Sequence, residues 1–435
     1  MKIIYLAAGA AGMYCGSCLH DNTLATALLA LGEDVLLVPT YTPLRTDEVN
    51  VSDGHLFFGG INVYLQQKSS IFRHTPWFVD ALLDHPSVIQ WATKGGPSVE
   101  ATRLGDMTVS MLEGEHGRQR KEIRKLIHWL KSDVRPDVVH LSNAMLLGMA
   151  REIRKLGIPV VSSLSGEDIF LEKLVEPFYS QARTALRERA QEVDAFVALN
   201  NYYADYMAGY LNVPRERIHV IPHGLNLAGH GTRGEHPSEP FTIGYLARIC
   251  PDKGLHNLLA AAELLSGEPD TPPFRIRAAG YLSDQDRPYL ETLQKRVAGW
   301  KRPETFEYLG ELTREEKIAF LQSMDVMSLP TVYRESKGLP VLEAWANAVG
   351  VVLPDHGAFP ELVGQTGGGL LHDPLDPAAL AGQLRHLLHN RPAAAALGVR
   401  GQLAVRRDFT AAEMAEKTRD LYRRVATSRS GLGLT

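Results

Sequence analysis

Short β-branched and apolar runs, each followed by a helical pattern of about 10–15 residues, alternate along most of the chain, and that alternation predicts parallel βαβ units. "KIIYLAA" leads into a helical run from about Ser17 to Leu31 and then "DVLLVPT". "PDVVHLS" precedes a second helical run through Met145 to Leu156, and "IPVVSSL" and "DAFVALN" follow. Between Gly224 and Pro240 the pattern fails: "GLNLAGHGTRGEHPSEP" is rich in Gly, Pro, Ser and His and reads as a linker. It restarts with "FTIGYLA", "FRIRAAG", "ETFEYLG", "DVMSLP", "VGVVLP" and "GGLLHD". The expected fold class is α/β, with two doubly wound, Rossmann-like parallel-sheet domains facing across a cleft. A ligand would sit where the strand C-termini face one another.

A chain of 435 residues exceeds one ordinary core, which fits two domains. Lys plus Arg number 46 against 50 Asp plus Glu, so no nucleic-acid partner is expected. The start, "MKIIYLAAGAAG", faintly imitates a signal peptide, but its apolar stretch is short and a first strand is the better reading. No stretch approaches the ~20 apolar residues that span a bilayer. Three cysteines form no disulfide framework and fit a reducing, cytoplasmic setting.

The first turn, "AGAAGMYCGSC", admits two readings. Gly9, Gly12 and Gly16 space as G-x-x-G-x-x-x-G, not as G-x-G-x-x-G, and "DVLLVPTY" lacks the acidic residue that would hold a nicotinamide ribose. An oxidoreductase is therefore disfavoured. Cys15 and Cys18 form a C-x-x-C at a helix start, where a thiol could be reactive, but nothing else in the chain supports thiol chemistry. A glycine-rich phosphate cradle, with Ser17 capping the following helix, is the preferred reading.

The second half carries the clearer chemistry. In "YRESKGLPVLEAWANAVG", Pro340 marks a helix start at its first position, and the N–H groups of Gly338 to Leu342 would attract an anion or hydroxyl. Glu335 precedes that helix and Glu343 lies in its first turns, where both could accept hydrogen bonds from sugar hydroxyls. In "GYLARICPDKGLHNLL", Arg248 and Lys253 follow a strand and suit a diphosphate, Arg as a planar fork and Lys as a point charge.

These residues resemble the nucleotide-sugar-dependent glycosyltransferases of the GT-B fold, in the large retaining family four known as glycosyl transferases group 1. The E-x7-E pattern of Glu335 and Glu343, the "R…KG" residues Arg248, Lys253 and Gly254, "HVIPHGLN", and Gly357 with Glu361 in "HGAFPELV" carry the resemblance. It implies a metal-independent hexosyltransferase with no cofactor, whose co-substrate is a nucleoside-diphosphate sugar. Arg248 and Lys253 would hold the diphosphate, Glu343 the ribose and Glu335 the donor sugar, with amides near Gly338 and Leu339 on sugar and phosphate. Gly12 and Gly16 would face the donor phosphates. It also implies that residues 1–225 plus 409–435 form the acceptor-side domain, the last helix crossing back, with 226–240 a linker and 241–408 the donor domain. Front-face displacement with retention would follow.

Two sites depart from the family: in "VVSSLSGED", Ser165 stands where a histidine is usual, and in "HVIPHGLN" His223 and Asn226 stand in the usual "IPNGVD" site. Glu167 and Asp168 follow Ser165, and with His20 these make up the acceptor-side candidates. The Ser165 departure motivates an alternative, a catalytically inert nucleotide-sugar- or glycan-binding protein on the same scaffold. Asp284-Gln285-Asp286 is a D-x-D of the sort that binds a metal elsewhere, read here as a solvated turn. Residues 118–135, "RQRKEIRKLIHWLKSDVR", are basic and amphipathic, and either contact an anionic membrane weakly or pack Ile123, Leu126, Ile127 and Leu130 against the core. Core packing is preferred. The aromatics Phe57, Phe58, Tyr64, Phe72, Trp77 and Trp91 mark an irregular insertion between about Pro43 and Gly117.

Overall fold

The computed structural model describes residues 1–9, 16–52, 101–231 and 240–430. Gly12, Cys15, the six aromatics of the insertion and residues 232–239 of the expected linker lie outside them. The chain divides into a first unit, Met1–Pro222 with Ala412–Thr435, and a second, His223–Ala411. Each is an α/β unit around a six-stranded, wholly parallel sheet.

In the first unit the strands are β1 (Lys2–Ala7), β2 (Asp34–Pro39), β3 (Val138–Leu141), β4 (Val160–Ser163), β5 (Ala195–Ala198) and β6 (Ile218–Val220), in the order β2-β1-β3-β4-β5-β6. A parallel sheet covered on both faces needs apolar residues at most successive positions, which is why "IIYLA" reads as an apolar run and "VVHL" is interrupted only by His140. Side chains alternate between the faces. Ile4, Leu6, Val139, Leu141 and Phe196 point into one core, while Ile3, Tyr5, Ala7, Val138 and Val197 point into the other. Helix α1 (Gly16–Ala30) contributes Cys18, Leu24, Ala25 and Leu28 to the second core. There it meets Met414, Ala415, Leu421 and Tyr422 of the C-terminal helix, Ala411–Ser430.

Helix α2 (Arg120–Trp129) settles how the amphipathic segment packs: Ile123, Leu126 and the following Leu130 belong to the first core, and Ile127 packs against it. Its apolar stripe is thus spent inside the unit. Among the described residues, no helix is long and apolar enough to cross a membrane.

The second unit has β7 (Phe241–Leu246), β8 (Phe274–Ala279), β9 (Phe306–Tyr308), β10 (Val326–Ser328), β11 (Gly350–Pro354) and β12 (Gly369–His372), in the order β12-β11-β10-β7-β8-β9. The first strand of this unit and its fourth are thus neighbours, and the chain winds outward in opposite directions from them. Such a reversal opens a crevice at the C-terminal ends of those two strands, the place where doubly wound sheets receive ligands. The corresponding reversal in the first unit lies between β1 and β3.

Candidate functional site

The segments leaving β7 and β10 are strapped together at the reversal in the second unit. Val332 N–H donates to the Asp252 carbonyl at 2.9 Å, and Asn257 Nδ2 reaches the Pro330 carbonyl at 3.5 Å. Gly254 lies left-handed at φ 75°, and a Cβ there would stand 1.8 Å from the Pro330 oxygen. No side chain fits between these two segments, so the glycine of the "KG" pair is a packing requirement.

That contact brings Lys253 to Glu335. Lys253 Nζ donates to Glu335 Oε2 at 2.7 Å, and their side chains are only 15% and 8% exposed. Tyr333, absent from the sequence reading, completes the group: its hydroxyl donates to Glu335 Oε2 at 2.7 Å and accepts from Lys253, whose ammonium also lies 4.9 Å from the ring centroid. Glu335 Oε1 accepts from the N–H groups of Ser336 at 3.2 Å and Lys337 at 3.1 Å. Burial pushes this carboxyl's pKa up, but Lys253, Tyr333 and the Lys337 amide outweigh it and hold it at about 2. Burial and Glu335 together raise the Tyr333 hydroxyl well above its ordinary value, so it stays protonated and donates. Glu335 is a carboxylate held by four donors. An ammonium has three protons, and Lys253 spends two here, leaving one for a ligand.

Arg248 is exposed on the same segment, and among the described residues nothing pairs with its guanidinium. Its charge reaches both Tyr333 and Cys250, which places it on this face.

Six residues on from Tyr333, the chain enters helix α4 (Leu339–Ala346), counting α3 as Arg314–Gln322 before it. The helix begins at Leu339, so Pro340 takes its second position, not the first. Gly338 supplies the left-handed turn at φ 71°. Val341 and Leu342 N–H both turn back to the Gly338 carbonyl, while among the described residues the N–H groups of Gly338 and Leu339 meet no acceptor. Two open donors at a helix start, with Arg248 and Lys253 nearby in the fold, make an anion site. Ala358 N–H donates to the Glu335 carbonyl at 2.8 Å, so the Gly357 segment braces the acidic loop from behind. Glu343 is buried, and its Oε1 pairs with Lys317 Nζ of α3 at 2.5 Å.

In the first unit, helix α1 starts at Gly16, so Ser17 falls inside the first turn and does not precede it. Cys18 is 2% exposed and packed in the core of the first unit. His20 is half-buried on the same helix. Glu167 is buried and committed to the fold: Oε1 accepts from Ala144 N–H and Oε2 from Ser165 N–H, both at 2.8 Å. Tyr203 hydroxyl donates to Asp168 Oδ1 at 2.6 Å and accepts from Gly166 N–H at 2.8 Å. Ser165, Glu167 and Asp168 thus form one braced loop after β4. In the second unit, Asp284 pairs with Arg287 and Asp286 accepts from Ser283, so the D-x-D is a turn engaged in local contacts.

The family description "Glycosyl transferases group 1" fits residues 232–403, across the strapped loops and helix α4, and "Glycosyltransferase Family 4" fits residues 91–228. Residues 232–403 thus resemble the group 1 glycosyltransferases. Over 275 residues it is 27% identical to an alpha-maltose-1-phosphate synthase of Mycolicibacterium smegmatis, covering 55% of this chain and 65% of that one. Over 329 residues it is 26% identical to a glycogen synthase of Mycobacterium tuberculosis, covering 74% and 77%. The first of these matches spans a little under two thirds of its relative's length. Among solved structures, the sucrose-phosphate synthase of Thermosynechococcus elongatus superposes with a TM-score of 0.72 at 16% identity, over 98% of this chain and 100% of that one. Anabaena HepE in complex with UDP gives 0.66 at 16% identity, over 97% and 99%. The GT-B glycosyltransferase fold is therefore that of this chain.

Proposed function

We propose that this chain is a group 1 glycosyltransferase that moves a hexose from a nucleoside-diphosphate sugar to a glycan, lipid or small-molecule acceptor, with retention and without a metal. The observation that carries it is the set of donors at the strand reversal of the second unit: Arg248, unpaired among the described residues, the remaining Lys253 proton, and the N–H groups of Gly338 and Leu339, which meet no acceptor among the described residues. Charge builds on the leaving diphosphate as the sugar departs, and these fixed donors stabilise it. Glu343 takes the ribose hydroxyls, and Glu335 holds Lys253 in place beside the donor sugar. His20, Ser165, Glu167 and Asp168 belong to the acceptor side, the latter three by shaping the loop after β4. The synthases among its relatives support a transfer reaction, and the UDP complex of HepE makes uridine diphosphate the first nucleotide to try.

Thermal shifts with UDP, GDP, ADP and their glucose or mannose conjugates, on wild type and Glu343→Ala, test the donor site. A nucleotide at ~100 times its Kd adds ~2.7 kcal/mol of stability. One nucleotide should shift the wild type and fail to shift the variant. NMR of the product then reads the anomer: an inverted product rejects retention, and binding without turnover favours the inert-scaffold alternative.

A further inference from the structure

The two carboxylates of the site differ in a way their symmetrical spacing hides. Glu335 is saturated with donors, whereas among the described residues the only donor at Glu343 is Lys317. Glu343 is also the one charged residue in a helix whose Val341, Leu342, Ala344, Trp345 and Ala346 are all buried. The Lys317 and Glu343 side chains are 12% and 5% exposed, so both charges have been taken out of water. An apolar pair of similar volume would serve stability as well or better, so stability alone does not account for the pair. Helices α3 and α4 are held in register around it: Gln322 Nε2 donates to Asn347 Oδ1 at 3.2 Å, and Asn347 Nδ2 donates to the Glu343 carbonyl at 2.9 Å.

We propose that Lys317 is a positioning residue for nucleotide recognition: it holds the buried Glu343 carboxylate turned so that its remaining lone pairs accept the ribose hydroxyls of a nucleoside diphosphate. This rests on the donor reading above, and it adds a second residue, from a different helix, to ribose selection. A carboxylate carries about four acceptor positions, so one lysine contact leaves room for two hydroxyls. Without that contact the buried carboxylate loses its fixed orientation and swings toward water, which removes the acceptor.

The test is calorimetric titration of the nucleoside diphosphate that shifts the wild type, and of its 2′,3′-dideoxy analogue, into wild type, Lys317→Met, Lys317→Arg and Glu343→Gln. The wild type should favour the ribonucleotide by about tenfold or more, the worth of hydrogen bonds to a charged group. Lys317→Met should erase that preference while leaving dideoxy affinity within about twofold of wild type. Lys317→Arg should keep most of it, and adding Lys317→Met to Glu343→Gln should change nothing further. Equal losses for both ligands in Lys317→Met would mean a merely structural lysine and overturn the proposal, as would an unchanged preference. A wild type that binds no nucleoside diphosphate overturns the donor reading itself and is told apart by that first titration. Should Lys317→Met fail to fold by circular dichroism, Lys317→Gln carries the same comparison.

Discussion

Glu335 shows what a single side chain contributes here. Its carboxyl is held at about 2 against an ordinary 4.5, burial opposing and Lys253 chiefly enforcing the shift. A depressed folded-state pKa stabilises the fold above the unfolded value, and that stability is lost as pH falls from about 4.5 toward 2. Replacing Lys253 with Met removes the main opposing charge, so burial then raises the Glu335 pKa. Urea unfolding free energies measured between neutral and acidic pH should show a variant less stable at pH 7 whose stability falls less steeply below pH ~4.5 than that of wild type, because the acid-labile contribution of Glu335 is gone; parallel acid limbs would contradict the pairing. Turnover is a separate readout of the same change. A preorganised donor to a developing anion is worth ~2.7–4 kcal/mol, so Lys253→Met or Arg248→Ala should slow transfer 10²-fold or more. Sequence alone assigned Lys253 to the diphosphate and Glu335 to the sugar, and could not show that each holds the other. Tyr333 went unread because an aromatic two residues before a glutamate carries no signal of its own. Lys317 went unread because its partner is on another helix.

At the scale of elements, the strands were legible because a parallel sheet buried on both faces demands mostly apolar runs, as in "FTIGYL" and "GVVLP". Their order was not. Nothing local in β10 says that it lies beside β7, and it is that adjacency which makes the segments leaving both strands into one site. Helix starts were read to within a residue, since Ser17 and Pro340 are first-turn residues but the turn geometry decides which one opens the helix. The strapped loops yield their own prediction. Gly254→Ala puts a Cβ into the Pro330 carbonyl at a left-handed φ, a strain of about 1–3 kcal/mol before any repacking. The loops must part to relieve it, so calorimetry should show a lowered Tm and turnover should fall as Lys253 leaves Glu335. A variant of unchanged Tm would mean that the two segments are not locked.

For the whole molecule, acid is the informative perturbation, because both units bury histidines whose burial disfavours protonation. In the first unit His140 is fully buried between β1 and the C-terminal helix, with Nε2 2.8 Å from Ser163 Oγ and Nδ1 2.5 Å from Tyr422 OH. Its ring stacks on Tyr5 at 4.4 Å, and Tyr5 donates to the buried Asp21 at 2.7 Å. Burial, with the charge of His20, lowers the His140 pKa from 6.5 to about 3. In the second unit burial lowers His256, His356 and His372 as well. A histidine whose folded pKa is depressed binds its proton more readily when unfolded. The stability it confers is therefore complete above about 6.5 and is drawn down as pH falls toward 3. Each such group adds up to about 1.4 kcal/mol per pH unit to the slope. His140→Gln removes one of them and loses part of the polar chain, so it should be less stable at pH 7 yet show a shallower decline between pH ~6.5 and ~3 than wild type. Unfolding free energies across that range would settle it. Parallel slopes would mean that His140 is protonated in the folded protein, and hence that its neighbours accept a cation that the geometry of Ser163, Tyr422 and Tyr5 gives no carboxylate to balance directly.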